Sequence, residues 1–115
     1  MKIWIDGSGW NGKESKYSVI SEDGKTLIQT FKEQKTNNEM EYMALIAALS
    51  LKGKDGDVIL SDSALIVNQV AGSWKVKKAE LFPLCVKAQN LLKEKNCILM
   101  WIGREENKAG HLLER

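Results

Sequence analysis

An α/β fold is what this chain of 115 residues predicts, and three observations predict it. Short runs of β-branched and aromatic residues open the chain, with a hairpin signal between two of them. The hydrophobic period then changes from two to about 3.6. From there helical and strand patterns alternate, the rhythm of crossover connections packed over a sheet. Composition agrees, since 43% hydrophobic and 28% charged residues are ordinary for a globular protein. The chain reads as one domain over residues 1–115, long enough to bury roughly two thirds of its unfolded surface without disulfides or structural metal.

Residues 2–6 read as the first strand, and the Gly-rich stretch Gly7-Ser8-Gly9-Trp10-Asn11-Gly12 as a turn. Residues 17–21 and 26–31 are two further strands, joined through Glu22-Asp23-Gly24, so the chain opens as a three-stranded meander. Met40, Met43, Ala44, Ala47 and Leu51 then mark a helical stripe that Leu45 and Ala48 widen. Asn37 or Asn38 is the expected cap, and Gly53 the expected stop. Val58-Ile59-Leu60 lacks polar alternation, as a strand covered by helices on both faces should. Ser61-Asp62-Ser63 leads into a short helix over residues 64–70, ended near Gly72. A longer helix spans residues 81–95, with Leu81, Leu84, Cys85, Ala88, Leu91 and Leu92 inward and Pro83 in its first turn. Residues 97–102 form the last strand and 107–114 the last helix, which gives the order β-β-β-α-β-α-α-β-α.

Composition also excludes classes of function. A formal charge of +2 and a pI near 8.5 rule out a strongly basic, histone-like binder. They permit a local basic patch, and Lys75, Lys77 and Lys78 follow Trp74 closely. Asp55, Asp57 and Asp62 lie shortly upstream. A basic surface beside an acidic pocket suits a polyanion held by its backbone while metals act on one phosphate. No apolar run approaches the roughly 20 residues that cross a bilayer, and the N-terminus lacks a signal-peptide pattern. Cys85 and Cys97 lack metal-ligand spacing and read as core thiols of a reducing compartment. A cytoplasmic monomer is the expectation.

Three acids carry the chemistry. Asp6 follows the first strand, Asp62 follows the fourth, and Glu41 lies in the first turn of the helix between them. Ligands of open α/β sheets bind beyond strand ends, so the two aspartates share an edge if their strands are neighbours. Clustered carboxylates repel, and divalent cations are the obvious compensation. Each acid also has a plain reading. Asp6 can be a turn former, Asp62 the cap of the 64–70 helix, and Glu41 a partner of the helix dipole, pointing outward or back toward the edge. Residue patterns alone lead to an α/β domain with an acidic, Mg²⁺-type site.

At this point the chain resembles the ribonuclease H family, in its compact type-1 form, from Met1 to Arg115. The resemblance rests on Asp6-Gly7-Ser8, on Thr36-Asn37-Asn38-Glu39-Met40-Glu41-Tyr42, and on Ser61-Asp62-Ser63 with Val67-Asn68. Gly72-Ser73-Trp74-Lys75-Val76-Lys77 and Trp101-Ile102-Gly103-Arg104-Glu105-Glu106-Asn107-Lys108-Ala109 complete it. It implies a mixed five-stranded sheet and two-metal-ion hydrolysis of the RNA strand of RNA–DNA hybrids, leaving 5′-phosphate and 3′-hydroxyl ends. Asp6, Glu41 and Asp62 would be the catalytic and metal-binding residues, with two Mg²⁺ or Mn²⁺ ions and Asp6 shared between them.

The resemblance also implies a substrate-binding set. Ser8 and Asn11 belong to it near the first strand, and Asn37 and Asn38 as a groove-reading pair that also suits helix capping. Trp74, Lys75 and Lys77 would hold the DNA strand, although a lone tryptophan also suits a core. Arg104 and Asn107 come from the closing motif, while Trp4 and Trp101 read as structural and Trp10 stays open. The chain departs from the family's pattern at Gly110, where an aspartate is usual. His111 and Glu114 are the possible auxiliaries, and a site short of one ligand should favour Mn²⁺, the less demanding ion. The alternatives are a catalytically weak or inactive nucleic-acid-binding module and a DNA nuclease of the same fold.

Overall fold

A computed structural model describes residues 1–113. Five strands and four α-helices follow the predicted order: β1 (Lys2–Ser8), β2 (Ser15–Ser21), β3 (Thr26–Phe31), α1 (Asn37–Leu51), β4 (Val58–Ser61), α2 (Ala64–Val70), α3 (Phe82–Lys95), β5 (Ile98–Trp101) and α4 (Lys108–Leu112). They form one mixed sheet in the order β3-β2-β1-β4-β5. The meander pairs antiparallel, while β4 and β5 add in parallel beside β1. A meander followed by crossovers explains this order, because each helix returns the chain to the same end of the sheet.

The central position of β1 explains its apolar run. Ile3 and Ile5 enter the main core with Val19 and Ile59, under Met40, Ala44, Leu45 and Ala48 of α1 and Cys85 and Ala88 of α3. Trp4 points to the opposite face, where it meets Leu60 and Ala109. The Lys108 ammonium stands 4.5 Å from the Trp4 ring centroid. Both cysteines are buried and free, and burial pushes the Cys97 thiol up.

Several expectations need correction. Strand β1 continues through Gly7 and Ser8, which pair with Tyr17 and Lys16 instead of turning. The α1 cap is Thr36, not Asn37 or Asn38. Its hydroxyl accepts from the Glu39 amide at 3.1 Å, and the Glu39 carboxylate accepts from the Thr36 amide at 2.9 Å. Leu51 is 68% exposed, whereas Tyr42 and Leu49 are fully buried. Helix α1 packs against both the sheet and α3, so its buried arc is wider than one stripe and ends a turn sooner. A 3₁₀ turn at Ala79–Leu81 precedes α3, and Pro83 lies in the first turn of α3 as expected. Trp101 is 55% exposed because β5 is an edge strand. Its indole N–H donates to the Asp62 carbonyl at 3.1 Å.

Candidate active site

Strands β1 and β4 are parallel neighbours, so their C-terminal ends reach one edge of the sheet. That edge receives Asp6 from within β1 and Asp62 from the residue after β4. Helix α1 crosses over the sheet with Glu41 in its second turn. One carboxylate oxygen from each of the three lies within 4.8 Å of the others. Asp6 and Glu41 are buried, and Asp62 is half-buried. Hard oxygen donors at this spacing are a ligand set for a divalent cation such as Mg²⁺ or Mn²⁺.

Local packing fixes each acid. The Gly7 amide donates to the Glu41 carboxylate, which turns that side chain inward, away from solvent. A Cβ on Gly7 would collide with the Met40–Glu41 backbone, so only glycine lets α1 approach β1 this closely. Ser63, not Asp62, caps α2, its hydroxyl accepting from the Ile66 amide at 3.2 Å. Asp62 lines the cleft. Asn107, fully buried, donates to Asp62 Oδ2 at 3.1 Å and to the Ile5 carbonyl at 2.9 Å. Its own Oδ1 accepts from the Ala109 amide at 3.0 Å.

The remaining predicted residues divide into three groups. Ser8, Asn37, Asn38 and Arg104 line the acid cleft, which encloses about 390 Å³. Asn37 also accepts from the Gly9 amide at 2.5 Å. Trp74, Lys75 and Lys77 border a second, larger groove of about 580 Å³, and Asn38 lines both depressions. Trp74 is 48% exposed, so it is no core residue. Asn11 lines neither; its Oδ1 accepts from the Lys13 and Glu14 amides and shapes a turn. Asn107 stands apart from these, a fully buried amide whose three protein partners include Asp62. His111 borders a recess of about 200 Å³ with Arg104, Glu105 and Gly110. Glu114 lies outside the described residues.

Sequence reasoning missed four participants. The Gly7 amide was hidden in a stretch that looked like a turn. Ser63 was signalled, because Ser61-Asp62-Ser63 offers three caps and only one can serve. The Trp101 indole was read as structural, with no signal of its bond to the Asp62 carbonyl. Gln69 gave no signal: it looks like a polar face of α2, yet it is 5% exposed and accepts from the Tyr42 hydroxyl at 2.7 Å. Burial, with Cys85 beside it, pushes the Tyr42 phenol far above its ordinary range and keeps it a neutral donor.

Residues 1–108 match the family described as RNase H. The chain is 35% identical over 119 residues to the bifunctional protein Rv2228c of Mycobacterium tuberculosis, covering 93% of this chain and 33% of that protein. The N-terminal RNase H domain of rv2228c, solved as a fusion with maltose-binding protein, superposes with a TM-score of 0.78. It is 32% identical and covers 92% of this chain and 84% of its own. LC11-RNase H1, isolated from compost by a metagenomic approach and solved in complex with an RNA/DNA hybrid, gives a TM-score of 0.76. There the identity is 30%, with 97% of this chain and 91% of that one covered. The chain therefore belongs to the RNase H family. It spans about a third of the length of the first curated relatives it matches. Among the described residues, no helix is long and apolar enough to cross a membrane.

Proposed function

We propose that this chain hydrolyses the RNA strand of RNA–DNA hybrids at the cleft of Asp6, Glu41 and Asp62, leaving 5′-phosphate and 3′-hydroxyl ends. The convergence of three carboxylate oxygens within 4.8 Å carries the reading. Asp6, Glu41 and Asp62 would hold Mg²⁺ or Mn²⁺, which when bound acidifies a water and neutralises charge on the leaving 3′-oxygen. Asn107 keeps the Asp62 carboxylate aimed at the cleft. Arg104 at the rim attracts the phosphate, and the amides of Asn37 and Asn38 donate and accept at once, as a 2′-hydroxyl requires. Trp74, Lys75 and Lys77 hold the other strand through apolar sugar contact and phosphate pairing.

One observation favours a second reading. Gly110, buried beside Arg104 and His111, brings no carboxylate to the site. A nucleic-acid-binding module with weak or no catalysis would suit that gap. A panel of labelled hybrid, duplex DNA, duplex RNA and single strands, each with Mg²⁺ or Mn²⁺, separates the readings. Hybrid cleavage that falls by several orders of magnitude in Asp6→Asn, with the melting temperature steady or raised as carboxylate repulsion is relieved, supports the nuclease. Hybrid binding without cleavage supports the module, and cleavage of duplex DNA supports a DNA nuclease of this fold.

A further inference from the structure

We infer that Gln69 is a positioning residue that fixes segment 74–77, and with it the larger groove, to the helix carrying Glu41. The inference deepens the hybrid-cleavage reading and rests on it for its functional consequence.

Gln69 is 5% exposed, and both ends of its amide are used. Its Oε1 accepts from the Tyr42 hydroxyl at 2.7 Å, and its Nε2 donates to the Lys75 carbonyl at 3.4 Å. Its backbone carbonyl accepts from the Cys85 thiol at 3.7 Å and from the Gly72 amide at 3.1 Å. One residue therefore touches α1, α3 and the segment that follows α2. Packing alone would be served better by leucine, because a buried amide must recover its lost hydration. The amide adds direction, since it bonds only when Tyr42 and Lys75 hold one relative placement.

That segment needs an external anchor. Gly72 takes a φ of +83°, and the Ser73 and Trp74 amides both donate to the Asn68 carbonyl, at 2.9 and 3.1 Å. The chain thus winds back on the end of α2 and presents Trp74 outward. An exposed ring gains little placement from packing, so its place follows from the backbone beneath it. Tyr42 is fully buried and next in sequence to Glu41. Adjacent helix positions diverge by about 100°, so α1 directs one side chain into the acid cleft and the other beneath the groove. The distance between acid cluster and groove is set through this pair.

Gln69→Met, of similar length but without donor or acceptor, and Tyr42→Phe, which loses only the hydroxyl, test the inference. In the free protein, amide hydrogen exchange around residues 73–77 should accelerate in both variants, a readout independent of any substrate. With the hybrid, KM should rise roughly tenfold while kcat at saturation stays within about twofold. In a Trp74→Ala background, Gln69→Met should add little, because both act through one segment. Unchanged exchange, a fall in kcat at constant KM, or fully additive losses would each overturn the inference. If Gln69→Met does not fold, Tyr42→Phe decides alone by the same three readouts. Absence of hybrid binding by the wild type would overturn the cleavage reading, and the exchange result would still decide the positioning role.

Discussion

The acid cleft and the groove beside it are built on opposite plans. In the cleft, side chains project from strand ends and a helix turn, and the Gly7 amide and a buried asparagine hold two of them. In the groove, the prominent groups Trp74, Lys75 and Lys77 are exposed and stand on a turn wound around Gly72. The first plan holds carboxylates together against their own repulsion, and the second offers a polyanion adaptable contacts. Placement to a fraction of an ångström matters for chemistry and much less for affinity. The two regions meet at Asn38, which lines both.

The largest break should come from Gly7→Ala. The added methyl meets the Met40–Glu41 backbone and must push α1 from β1. Overpacking of this kind costs about 1–3 kcal/mol, and displacement of Glu41 should abolish cleavage. Thermal melting and initial rates would check it, and a variant with wild-type rate would show that the cluster tolerates movement of α1. Asn107→Ala comes next. It removes a partner of Asp62, of the Ile5 carbonyl and of the Ala109 amide, so stability should fall by about 1–3 kcal/mol. Its kcat should drop while KM holds, the reverse of what a substrate-binding asparagine would give.

Trp74→Ala sharpens the contrast from the other side. Loss of one stacking or sugar-packing face should weaken hybrid affinity by about 1–3 kcal/mol, with kcat nearly unchanged. Binding titrations at two salt concentrations would show this, and a loss of kcat would join the two regions into one functional unit. Gly110→Asp should have the smallest effect. An acid there should raise Mg²⁺-supported cleavage and narrow any Mn²⁺ preference, measured as initial rates across both metal concentrations. No gain at any concentration would mean that position 110 is not a ligand position or that Asp6, Glu41 and Asp62 suffice.

The same division explains what was legible in the sequence. Element order followed from a meander and two crossovers, and the acids from their places at element ends. Period and propensity are local signals, and these features are local. The exposure of Trp101 was not legible, because a strand's sequence does not say whether it lies at an edge. The partners of Asn107 were not legible, because Ile5 and Asp62 are 102 and 45 positions away. Gln69 was unreadable for the same reason, its hydroxyl donor being 27 positions upstream. The expected caps fell beside the true ones, Thr36 and Ser63, because neighbouring cap-forming residues look alike in sequence and backbone geometry decides between them.

The Asn107 amide has a consequence for biosynthesis. A ribosome delivers Asp6, Glu41 and Asp62 before the group that aims Asp62, which arrives 45 positions after it, at the edge of α4. The Ser18 hydroxyl waits still longer for its acceptor, the Ala109 carbonyl, 91 positions away. Contacts of such long separation close late, because their loop entropy must be overcome first. A half-made chain can therefore form the meander and α1 while its acid cluster stays unfinished. Docking of α4 completes the cluster, so the cleft matures only after Asn107 and the helix it caps have been made.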